Sequence, residues 1–323
     1  MRRRVLVTGA GSGFGLATAL LLGALGFEVI GLVPDDDERR VLGRAAEERG
    51  LAVETVVADL SDPARRAGLV SGLGLWGLVN NAGYMGAGEV RDVAVDDARR
   101  QLETMVLAPV DLVRQTLPSM IELRQGRIVN VTSSALHTNT PLTGWYTACK
   151  AALRQLNDSL RVELAGCGVD VIDIEPGGYR TGIWDRAAGE LQQRRRAASR
   201  PDLYDRVLRH LRRAETLMGE PGHVALAVAD VLTTGRPPRH KRIGPGAGLL
   251  RIADRIVPDR AWDRRSPWPA GSENLSCVKS PPSCRLPPRR PSVCWRIPGP
   301  SSAWWPGPGA SGGSTPAGRR RAP

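Results

Sequence analysis

Short apolar runs alternate with helix-spaced stretches along most of this chain. Runs at 5–8, 29–33, 53–58, 75–79, 127–131 and 169–174 are rich in Val, Ile and Leu. They predict strands buried on both faces. Between them, 16–25, 38–49, 96–123 and 146–164 repeat apolar residues every three or four positions and predict helices. Gly50 and Gly166 mark two of the helix ends, and Pro109 and Pro118 interrupt the longest pattern. Residues 221–232 predict a further helix and 241–243 a short last strand. The alternation predicts an α/β fold, a doubly wound parallel sheet with helices on both faces. Residues 179–217 break the pattern. They are rich in Arg and Gln with a sparse apolar stripe, and are expected as a mobile helical insertion over the carboxyl edge of the sheet.

From Arg264 onward periodicity disappears. Thirteen of the 25 prolines lie between Pro267 and Pro323, among Gly, Ser and Arg. Such a segment buries too little apolar area to offset its ordering entropy, so 264–323 is expected to be a disordered tail behind a single domain over 1–263. The tail also holds ten of the 45 Lys and Arg residues against one acid, Glu273. The formal charge of +12 therefore belongs mostly to the tail, and the nearly balanced body gives no argument for a nucleic-acid partner. The five cysteines show no metal-ligand spacing, and only Cys149 and Cys167 lie in the body. A reduced, cytoplasmic chain without a metal is the simplest reading. The apolar run 16–25 is too short to span a bilayer and carries no cleavage pattern.

Several polar motifs fall at the ends of the predicted strands. Thr8-Gly-Ala-Gly-Ser-Gly-Phe-Gly15 joins the first strand to the first helix. Gly9, Gly13 and Gly15 permit a tight turn and close approach of backbone to a pyrophosphate, beside the free N–H groups of a helix start. Ser12 and Phe14 lie in the same loop. Asp59-Leu60 ends the third strand, where a carboxylate could accept from an adenine amino group, or could cap a helix in competition with Ser61 and Asp62. Asn80-Asn-Ala-Gly83 ends the fourth strand, and Asn81, Ala82 and Gly83 would let a cofactor lie close. Ser133, with Ser134 beside it, follows the fifth strand. Pro176-Gly177 and Thr181 follow the sixth, placed to meet a nicotinamide amide.

Tyr146 and Lys150 stand four apart on one helical face. A free phenol has a pKa near 10, and a cation held close favours the phenolate. The pair is therefore a candidate general acid/base, and Ser133, thirteen residues earlier, could hold a substrate oxygen beside it.

In order and spacing these motifs resemble the short-chain dehydrogenase/reductase family, over about residues 4–263. The resemblance implies a single-domain Rossmann-type fold. It also implies an oxidoreductase that moves a hydride between NAD or NADP and an alcohol or ketone. Tyr146 would be the acid/base, Lys150 would lower its pKa and bind the ribose, and Ser133 would orient the substrate oxygen. One position departs from the pattern. The asparagine usual in the long helix is Met105 here. That asparagine helps hold a water linking the lysine to solvent, and methionine cannot. Met105 is also the one feature that favours a non-catalytic dinucleotide sensor or scaffold. Three aspartates at 35–37 lean the cofactor choice toward NAD, with Arg39 and Arg40 close behind. Ser-Gly-Phe-Gly in the first loop, common in relatives acting on retinoids and steroids, points to a lipophilic substrate. His137, Trp145, Tyr179 and Trp184 are candidates to line its pocket. His210, His223 and His240 read as isolated. Many relatives pair long helices into homodimers or homotetramers, and 96–123 and 146–164 could do so here.

Overall fold

A computed structural model describes residues 3–138, 140–214, 216 and 218–244. The expected domain boundary at 263–264 and the tail lie outside the described residues. Seven strands form one parallel sheet: β1 (Arg4–Thr8), β2 (Glu28–Val33), β3 (Val53–Val57), β4 (Gly77–Asn80), β5 (Gly126–Val131), β6 (Val169–Pro176) and β7 (His240–Ile243). Their order across the sheet is β3-β2-β1-β4-β5-β6-β7. The chain starts in the middle, winds outward to β3, then returns to β4 and winds the other way. This is the doubly wound Rossmann-type arrangement. Its crevice opens at the carboxyl ends of β1 and β4, where the winding reverses.

Nine α-helices are described: α1 (Gly13–Ala24), α2 (Asp36–Glu47), α3 (Pro63–Arg66), α4 (Val95–Leu102), α5 (Ala108–Glu122), α6 (Gly144–Glu163), α7 (Gly182–Arg195), α8 (Pro201–Ala214) and α9 (Gly222–Thr233). Two apolar layers flank the sheet. One packs Ala19 and Leu22 of α1 and Val224, Val228 and Val231 of α9 against Val5, Val7, Val79 and Ile172. The other packs Ala108, Leu112 and Met120 of α5 against Leu6, Ile30, Leu78 and Ile128. Alternate residues of β1 thus serve opposite layers, which is why its run is continuously apolar rather than alternating.

The long helix expected over 96–123 is two helices joined by a wider π turn, Glu103–Leu107. Pro109 has no N–H to return to the Met105 carbonyl, so the regular ladder is broken there. Pro118 stays inside α5. The insertion over 179–217 forms α7 and α8, and both are anchored. Tyr204 is fully buried and donates to Asp92 Oδ2 at 2.8 Å. Glu190 accepts from the Ala87 N–H at 3.2 Å, and Arg194 reaches Asp97 at 2.8 Å. Leu191, Leu203 and Val207 join Met85, Met105 and Tyr146 in a third apolar cluster. A sparse stripe therefore suffices, because α7 and α8 pack into this third cluster rather than cover the sheet.

Candidate functional site

A cleft of about 730 Å³ runs along the carboxyl ends of the strands. The loops after β1 to β6 all contribute to it. Of the residues expected at the site, Gly9, Ser12, Gly13, Phe14, Asp59, Leu60, Asn81, Ala82, Gly83, Ser133, Tyr146, Lys150, Pro176, Gly177 and Thr181 line it. Thr8 and Gly15 do not; they build the loop from beneath. The Thr8 hydroxyl accepts from the Asn81 and Ala82 N–H groups, both at 2.9 Å. The Asn81 amide in turn donates to the Thr8 carbonyl at 2.9 Å. At Gly15 a Cβ would stand 1.9 Å from the Gly9 carbonyl oxygen, so no other residue keeps this turn. Another, more open cleft at the opposite edge gathers Arg4, Glu28, Glu47 and Glu54 but none of these motifs.

The loop meets the requirements of a dinucleotide phosphate. Ser12 precedes α1 without a side-chain cap, which leaves first-turn N–H groups for an outside acceptor. Gly9 has φ +64 and lies against Ala82, so loop and β4 end approach closely. Asp59 Oδ1 accepts from the Ser61 N–H at 2.8 Å, while Asp62 caps α3. The two readings of Asp59 therefore separate: the cap is Asp62, and Asp59 faces the cleft.

At the other end of the cleft stand Ser133, Tyr146 and Lys150. Ser133 begins a short 3₁₀ turn, Ser134–His137, and its Oγ accepts from the Ala135 N–H at 3.1 Å. Burial pushes the Tyr146 phenol above its ordinary pKa; a hydrogen bond with Ser133 lowers it and Cys149 raises it. Desolvation is the largest of these influences on the phenol. The Lys150 Nζ stands 5.8 Å from the Tyr146 ring centroid and donates to the Val131 carbonyl at 2.7 Å. Burial pushes this ammonium down to about 8.

Met105 is fully buried in the π turn. A Cβ built on Gly83 would lie 3.1 Å from its Sδ and 3.6 Å from Lys150 Nζ. Thioether and ammonium thus border the same small space.

Tyr179 and Trp184 line the cleft, whereas His137 and Trp145 do not. Phe14 meets Tyr179 edge-to-face at 5.7 Å. His137 pairs instead with buried Glu175 at 2.8 Å. His240, read as isolated, gathers with Asp158 and Asp173 so that one ligand atom of each lies within 4.8 Å. Arg154 and Arg161 approach the same Asp173 oxygen to 3.9 and 3.5 Å, and their charges disfavour a cation there.

Pattern reading missed Glu38, Tyr84, Arg100, Thr104 and Arg186 as lining residues. The Glu38 carboxylate presses on Gly11, and burial, then Asp35, raises its pKa. The pattern placed it at the start of a helix, which begins two residues earlier, at Asp36; its direction was not legible. Arg39 and Arg40 turn back onto Asp36 and Asp37.

Fold and cleft together define a dinucleotide-binding α/β protein. The short chain dehydrogenase family model matches residues 3–191, and the chain belongs to the short-chain dehydrogenase/reductase family of oxidoreductases. It is 31% identical to mouse retinol dehydrogenase 5 over 82% of this chain and 87% of that one. It is 29% identical to the NADPH-dependent 3-dehydrocapnine reductase of Ornithobacterium rhinotracheale, over 81% and 95%. A short-chain dehydrogenase structure from Streptomyces avermitilis superposes with a TM-score of 0.64 at 27% identity, covering 78% and 92%. Among the described residues no helix is long and apolar enough to cross a membrane.

Proposed function

We propose that this protein is an NAD(P)-dependent reductase or dehydrogenase of a lipophilic ketone–alcohol pair, with Tyr146 as the proton-transfer residue. The observation that carries the reading is the meeting of Ser133, Tyr146 and Lys150 at one end of a dinucleotide-sized cleft. A bound nicotinamide supplies or accepts the hydride. The protein's residues handle position and the proton. The Gly9–Gly15 loop and the start of α1 would hold the phosphates, and Pro176, Gly177 and Thr181 would hold the amide end. Ser133 and the Tyr146 hydroxyl converge on the substrate oxygen. The phenol can give its proton to a carbonyl oxygen as negative charge develops there, or take one from the alcohol in the reverse direction. Lys150, with its pKa depressed to about 8, is placed to return a proton to the tyrosine side.

Apolar and aromatic side chains, Ile183, Trp184, Tyr179, Ala135 and Met85, line the substrate end and support a lipophilic compound. The mouse relative's name points to a retinoid, which fits that lining. Asp35 and Glu38 at the β2 side disfavour a 2′-phosphate, whereas the bacterial relative is named for NADPH; the comparisons lend the lean to NAD no support.

The test follows cofactor absorbance with a panel of ketones and alcohols, each with NAD(H) and NADP(H). Turnover with at least one pair is expected. Tyr146→Phe is expected to lower it by about 10²- to 10⁴-fold, the scale of general acid catalysis. A Tyr146→Phe protein with full turnover would remove the proton-transfer role.

A further inference from the structure

The mechanism leaves unused a buried charged hub beside the site. Glu175 is fully buried on β6, directly before Pro176 and Gly177. Three elements turn side chains onto it. His137 Nε2 meets its Oε1 at 2.8 Å, from the end of the turn that Ser133 begins. Arg154 Nη1 meets its Oε2 at 3.4 Å, from α6 one turn beyond Lys150. Arg242 Nε comes to 3.4 Å from β7. A fully buried carboxylate is tolerated only with such partners, so this geometry is tightly specified.

The Ser133 turn packs Ala135 against the third apolar cluster and is tied by hydrogen bonds at both ends. Thr138 bonds back to Ala135, within the turn itself. Thr132 bonds the Ile174 carbonyl through N–H and hydroxyl, which fixes the entry to the turn. The exit is fixed by His137. Entry and exit are thus both pinned to β6, the strand that delivers the cofactor lip.

We propose that His137, through Glu175, is a positioning residue that holds the Ser133 hydroxyl in register with Tyr146 and the cofactor lip. The pair acts through Ser133 and touches neither substrate nor cofactor. It rests on the proton-transfer reading above. Misplacing a reacting group by about 1 Å costs on the order of 10²-fold in rate, so a slack turn shows in kcat.

The test compares two conservative variants. In His137→Gln the amide nitrogen reaches the place of Nε2 and keeps the bond to Glu175. In His137→Asn it stops near the place of Nδ1 and loses it. His137→Asn is expected to lower kcat about tenfold or more. Its dissociation constant for the reduced cofactor, read by fluorescence, should stay within about twofold of wild type, since the phosphate loop is untouched. His137→Gln is expected to stay within about threefold of wild-type kcat. If His137→Asn does not fold, His137→Ala assayed with and without added imidazole takes its place, and recovery with imidazole is expected. Equal kcat in the Asn and Gln variants, a matching loss of cofactor affinity, or no recovery would overturn the proposal. Full turnover in Tyr146→Phe would instead overturn the site reading itself.

Discussion

Replacing Lys150 by Met should make the cofactor-free protein more stable while it removes activity. The ammonium is buried, and burial depresses its pKa from 10.5 to about 8. At 1.36 kcal/mol per pKa unit, keeping it charged costs the folded state about 3 kcal/mol at neutral pH. Methionine keeps most of the stem volume without the charge. It orphans the Val131 carbonyl, now bonded at 2.7 Å, at a cost of about 1–2 kcal/mol. The net expectation is about 1–2 kcal/mol of stabilisation at pH 7. The sign of its pH dependence follows from linkage. Below pH 8 the lysine is charged in both states and its full cost is present. Between about 8 and 10.5 the folded protein releases the proton first, the unfolded chain binds more protons, and wild-type stability rises. The advantage of Lys150→Met should therefore shrink across that window. Urea unfolding of both proteins at pH 7 and pH 9.5 measures it. A variant less stable than wild type at pH 7, or a gap that does not shrink, would refute the desolvation argument.

Two further outcomes follow from the same cleft. Met105→Asn is expected to raise turnover and leave cofactor affinity unchanged, because a polar group beside Lys150 restores a hydrated path for its proton; unchanged steady-state rates would count against a relay defect. Glu38→Gln is expected to improve NADP over NAD by about five- to tenfold in relative dissociation constant, the effect of removing one partly screened charge from beside a phosphate. Equal affinities before and after, measured by cofactor fluorescence, would place Glu38 away from the 2′-position.

Much of the fold was legible because a parallel strand covered on both faces is largely apolar, as Val5–Val7 of β1 and Val29–Val33 of β2 are. Strand boundaries moved by a residue or two at most of the seven. The loop motifs were legible for a related reason: each sits where a strand ends, and the topology turns strand ends into one crevice, whereas Tyr146 and Lys150 were read from their spacing on α6. Over 96–123 the interruption at Pro109 was legible, while Pro118, which the pattern also marked as an interruption, is carried inside α5. The helices of the insertion over 179–217 were legible, but not the third apolar cluster that their few apolar residues join.

What local pattern determined by itself was the set of elements, the loop that turns on Gly9 and Gly15, and the chemical identities of Ser133, Tyr146 and Lys150. These depend on spacing, φ angles and functional groups that each short stretch carries alone. The protonation of those groups was decided by tertiary structure. Spacing put an ammonium beside a phenol; burial adds an upward push on the phenol and a downward one on the ammonium that spacing does not show. Which polar residues serve the cleft was decided there as well. Glu38 and Arg186 face it, while His137 turns to Glu175. Desolvation and side-chain direction depend on what distant segments bring against a residue, and no local window of the chain contains those segments.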